Sequence, residues 1–149
     1  MLFALTLMIF SISSCDKKIV GPTPHSYTFH IKVIDLNGEN VLDNKDIYTL
    51  NKGITIKEAD KFFDYKVSFQ EKDGERYLSF QTGSPHNVVM EEVSYTIEEN
   101  LFFIGSGPHE IRSVWTKEKN SISLSRVFFD SKKLKGDDLF FEINEPELD

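Results

Sequence analysis

From residue 27 onward the chain alternates. Tyr27, Phe29, Ile31 and Val33 are separated by Thr28, His30 and Lys32, the two-residue period of a strand with one face against a core. Asp35-Leu36-Asn37-Gly38 ends this strand in a turn, since Asn-Gly accepts positive φ readily. The same reading predicts strands at 54–56, 65–70, 77–81, 87–98, 101–104, 111–116, 122–129 and 139–143. Asp73-Gly74 between two alternating runs is the strongest hairpin signal, and residues 117–121 supply a second hairpin turn. Within 87–98, Val89, Glu91, Val93, Tyr95 and Ile97 share a face, and the inward glutamate predicts a bulge or register shift near Met90. Residues 57–64 suit a helical turn or a loop, and no helical period lasts beyond two turns. Eight or nine short strands with regular turns predict an all-β fold, a single antiparallel β-sandwich of immunoglobulin- or transthyretin-like type.

Composition narrows this picture. A chain of 149 residues, 40% hydrophobic and with thirteen Phe, is long and apolar enough for one self-sufficient core. Acidic side chains outnumber basic ones by 24 to 17, a net charge of -7, which excludes a nucleic-acid binder built on a basic face. A single cysteine excludes a disulfide framework and any multi-cysteine zinc site.

Charge is also unevenly placed. Residues 1–14 carry no charged side chain, and residues 2–12 form an apolar run of eleven. That run is too short for a membrane span, which needs about 20 residues, and suits the core of a signal peptide. Ile12-Ser13-Ser14-Cys15 follows, an aliphatic residue and two small ones before the cysteine, and resembles the lipobox of bacterial lipoproteins. The expected organisation is a cleaved signal peptide over 1–14, a lipidated Cys15 with a spacer to residue 25, and a β-sandwich domain over 26–149. Acyl chains on Cys15 would hold the protein to a membrane, each buried methylene adding about 0.8 kcal/mol.

Residues 29–43, from Phe29-His30-Ile31-Lys32-Val33 through Asp35-Leu36-Asn37-Gly38 to Val41-Leu42-Asp43, are similar to the opening of small Bacteroidetes lipoproteins. In those proteins a strand, an Asp-x-x-Gly turn and two aliphatic residues follow soon after the lipidated cysteine. Trp115, the polar turn at 117–121, Ile122 and Arg126-Val127-Phe128-Phe129-Asp130 echo their closing strands, although Asp130-Ser131 stands where Asn-Gly is usual. The resemblance implies a β-sandwich lipoprotein of the cell envelope, at the outer membrane, and carries over no catalytic residue.

Candidate chemistry is sparse. No Gly-x-Ser-x-Gly elbow or phosphate loop is present, and no cofactor is expected. Adjacent acids such as Glu91-Glu92 and Asp137-Asp138 point to opposite faces of a strand. Asp35, Asn37 and Glu39 surround a glycine turn but lack the spacing of a calcium loop. His25 and His30 suit a spacer and a solvent-facing strand position. His86 and His109 stand in two matching loops, Gly83-Ser84-Pro85-His86 and Ser106-Gly107-Pro108-His109. A meander of one strand down and one up would bring these to the same end of the sandwich. Trp115 is either a core residue or an exposed platform for a sugar. The pairs Phe102-Phe103, Phe128-Phe129 and Phe140-Phe141 require both faces of their strands to be covered, or else leave rings exposed for a partner. The expected function is a non-enzymatic interaction module of the envelope, binding a glycan or a protein partner. The alternatives are a hydrolase or metal-binding domain using His86 and His109, and a purely structural lipoprotein.

Overall fold

The computed structural model describes residues 26–57, 64–84, 89–119 and 121–148. Its elements are β1 (Ser26–Ile34), α1 (Ile47–Gly53), β2 (Ile54–Ile56), β3 (Asp64–Lys72), β4 (Glu75–Gly83), β5 (Glu92–Ile97), β6 (His109–Glu118), β7 (Ser121–Phe129), β8 (Lys132–Lys133), β9 (Lys135–Asp137) and β10 (Phe140–Asn144). They form two five-stranded sheets, ordered β3-β4-β1-β10-β9 and β2-β5-β6-β7-β8. The result is an all-β sandwich.

β1 is the centre of the first sheet. Its odd-numbered residues Tyr27, Phe29, Ile31 and Val33 are fully buried, as their period requires. Phe29 stacks on its register partner Phe80 at 5.1 Å between ring centroids. Across the sandwich, Tyr27 meets Trp115 edge-on at 5.0 Å and Phe29 meets Tyr95 at 6.1 Å. The hydroxyls of Thr82 and Tyr95, one from each sheet, bond to each other inside the core.

Four sequence expectations change. The first is strand direction: β1 and β10 run parallel, from His30 beside Phe140 to Ile34 beside Asn144, in an otherwise antiparallel sandwich. Period and turn chemistry carry no information on this pairing, which joins the two ends of the described chain. Second, residues 101–104 are not a strand. Leu101, Phe102 and Phe103 are buried in a run of bends, paired to no neighbouring strand, and Ile104 is fully exposed. The loop is closed locally, with Asn100 Oδ1 accepting from Gly105 N at 2.7 Å. Third, no irregularity is needed near Met90, because β5 starts at Glu92 and Glu91 is exposed ahead of it. The register shift lies instead between Val114 and Trp115, which face Arg126 and Leu124. Fourth, α1 was not expected. Its seven residues make only two turns and bury Leu50 and Gly53, too little for a helical stripe to register. Its local signal is the Asp46 cap, whose carboxylate accepts from Thr49 N at 2.9 Å.

The predicted hairpin at Asp73-Gly74 forms, with both residues at positive φ. The turn joining β7 and β8 has the same character, with Asp130 at φ 46° and Ser131 at φ 71°. Serine there bears a left-handed penalty that glycine escapes. Ser131→Gly is therefore expected to raise stability by about 0.5–1 kcal/mol. A higher midpoint in urea would show this, and an unchanged or lower one would contradict it.

Candidate functional site

Cys15, His25 and His86 lie outside the described residues. His109 opens β6 beside Ile97, the last residue of β5. The described chain between Ser84 and His109 therefore contains one strand, β5, and the second strand of the expected meander is the loop at 101–104. The expected pairing of the two histidine loops rests on His86 and so lies outside the described residues.

The His109 ring is turned inward. Its Nδ1 bonds Asp130 Oδ2 at 2.5 Å, and Asp130 Oδ1 accepts from Glu110 N at 2.8 Å. The ring lies against Phe129 at 4.8 Å and meets Phe103 edge-on at 6.1 Å. Its Nε2 is buried without a hydrogen-bond partner. This is the geometry of a side chain that locks a turn onto a strand, with its second nitrogen facing phenyl rings. Asp130 gave no prior signal, because its partner stands 21 residues earlier. Among the described residues no group of three or more His, Cys, Asp or Glu is placed to hold a metal ion. Asp35 spends its carboxylate on its own turn, accepting from Asn37 N at 2.8 Å and Glu39 N at 2.9 Å, and the Glu39 bond contributes most to holding it below the usual carboxylate range.

His30 is not the solvent-facing residue expected. It stacks on Phe140 at 4.5 Å on the outer face of the first sheet, with Tyr77 edge-on to the same ring at 5.0 Å. Burial, and secondarily the charge of Lys72, holds its imidazole below the usual histidine range. A groove of about 400 Å³ runs over this face. Its cations are already engaged: Lys32 Nζ with Glu142 at 3.2 Å and Glu75 at 3.8 Å, Lys135 with Glu147 at 3.0 Å, and Lys72 over the Phe140 ring at 4.0 Å. Phe128 on the other outer face is likewise covered, by the Arg112 guanidinium at 4.4 Å. Phe128 and Phe140 are thus covered by cations, and Phe102, Phe103 and Phe129 by one another's rings.

A second groove, of about 700 Å³, opens beside Trp115. Trp115 itself is 6% exposed, its Nε1 donating to Ser113 Oγ at 2.9 Å and its ring edge-on to Tyr27. It is a core residue at a border, and its ring face is not laid open as a sugar platform. Ile122 and Leu124 continue the floor from β7, while Leu139 and Phe140 form the far wall. Ser26, Thr28, Ser123 and Asp138 supply the polar rim.

The groove exists because both sheets stop short at one corner. β10 joins β1 only from His30 onward, so Ser26 to Phe29 have β4 on one side and, among the described residues, no strand on the other. On β7, β8 pairs only with Phe128 and Phe129, and Val127 accepts from Leu134 N. Residues 121–126 thus have a free outer edge among the described residues. An apolar concavity of this size with a few polar groups at its rim is the usual form of a binding site. Compared with known protein families, with curated proteins and with solved structures, the chain matches none.

Proposed function

We propose that this protein is a lipid-anchored interaction module of a bacterial cell envelope, held at the outer membrane through Cys15 and binding a partner without catalysing a reaction. The observation that carries the binding role is the groove at Trp115, an apolar surface left uncovered where two sheets end together. The non-enzymatic reading is supported by His109, whose Nδ1 is held by Asp130 and whose Nε2 is buried against phenyl rings, out of reach of a substrate. The anchoring reading is supported by the lipobox-like Ile12-Ser13-Ser14-Cys15 after an uncharged apolar run. Among the described residues no helix is long and apolar enough to cross a membrane.

Anchoring is tested by detergent phase partitioning of the full chain expressed in a bacterium. The natural protein is expected in the detergent phase and Cys15→Ser in the aqueous phase. Continued detergent partitioning of Cys15→Ser would refute lipidation. Binding is tested by a photo-crosslinking amino acid at Ser123, on the groove rim, compared with one at Lys66, exposed on β3. Adducts with an envelope component are expected from position 123 and not from position 66, and equal labelling would remove the groove from consideration.

A further inference from the structure

We infer that the groove at Trp115 is a vacant strand position, and that its occupant is an extended segment of another polypeptide, apolar at alternate residues and basic at the residue that meets Asp138. The inference rests on the groove being the binding surface and says what fills it. His30 N donates to Leu139 O at 2.7 Å on the side of β1 that faces β10. Strand geometry turns every second residue's backbone groups the same way, so the N–H and C=O of Thr28 point to that side too. Among the described residues no strand lies there to receive them. Beneath this line the second sheet presents the half-buried Ile122 and Leu124, beside a Trp115 that Tyr27 of β1 already covers edge-on. A strand seated beside β1 would pair its backbone with Thr28 and send alternate side chains onto this floor.

The chemistry selects a peptide over a sugar. The Trp115 ring is edge-on to Tyr27 and 6% exposed, so it offers no stacking face. Asp138 is the one ionised side chain on the lining, and the whole chain carries a charge of -7. Both favour a neutral strand with a basic residue over an acidic one.

The test uses the full-length lipidated protein in detergent micelles and an end-capped peptide, Lys-Val-Thr-Val-Ser-Val-Thr. The emission of Trp115, the single tryptophan of the chain, reports binding. Two analogues carry N-methyl groups on one or the other alternate set of amides, which removes backbone donors while leaving the side chains alone. The parent peptide is expected to shift the emission saturably, one analogue to bind at least tenfold more weakly, and Leu124→Lys to abolish the shift. Asp138→Asn is expected to weaken binding a few-fold and to flatten its salt dependence. Equal binding by parent and both analogues would overturn strand addition. A dimer that forms without peptide and is lost in Leu124→Lys would assign the slot to a second copy and likewise overturn it. If the peptide fails while position 123 still crosslinks to an envelope component, the strand falls and the interaction module stands. Failure of both removes both.

Discussion

Phe29→Ala is expected to lower the free energy of unfolding by about 3–5 kcal/mol, a large part of the roughly 5–15 kcal/mol that holds a typical domain together. Phe29 has no exposed surface and sits in the central strand of its sheet, stacked on Phe80 and edge-on to Tyr95 of the opposite sheet. Its removal leaves a cavity between rings of β4 and β5, one from each sheet, and rigid strands close such a cavity poorly. Urea unfolding followed through the buried Trp115 measures the effect. Phe128→Ala is the control, since that ring faces outward beneath Arg112 and its loss should cost much less. Equal losses in the two variants would mean that β1 does not occupy the centre of the core.

The Thr82–Tyr95 hydroxyl pair is the second sensitive point. Tyr95→Phe leaves the Thr82 hydroxyl buried with its partner gone, at a cost of about 1–3 kcal/mol. Tyr95→Phe combined with Thr82→Val removes both polar groups and is expected to recover most of that loss. Additive losses in the double variant would show that the two hydroxyls are not partners. The same tyrosine has a pH signature. Burial, which outweighs the Thr82 bond and is aided by the nearby Tyr65, pushes its phenol up to about 12 from an ordinary value of 10.0. A raised value means that the fold favours the protonated form. That contribution is fully present below pH 10 and is lost as pH rises toward 12. Stability should therefore fall over this range in the natural protein and fall less steeply in Tyr95→Phe. Parallel curves would contradict the assignment.

Strands at β1, β5 and β6 were legible because each records its own burial in an alternating pattern, whereas β4 buries Leu78, Ser79 and Phe80 in succession and was legible by its β-forming residues and the turn before it. The turn at Asp73-Gly74 was legible because positive φ selects a few residue types, whereas Asp130-Ser131 adopts the same backbone with a serine that does not announce it. Residues 101–104 misled because three adjacent apolar side chains look like a strand buried on both faces, whereas a loop folded over the end of the sandwich buries them equally well. His109 and Trp115 stood out by residue type, but their roles depended on partners far along the chain. Asp130 supplies the carboxylate for His109, and Tyr27 supplies the ring against Trp115.

What the sequence determined by itself was local: strand periods, turn positions, a charge of -7 and a lone cysteine after an apolar run. Each follows from neighbours within a few residues, where sterics and burial act directly. Tertiary structure alone decided that β10 lies parallel to β1 and begins only at His30, and that β8 covers only the last two residues of β7. Those are choices among strand pairings that satisfy the same alternation equally well. The groove at Trp115 is their product, since a concavity is made by where strands end relative to one another, and no single segment encodes that.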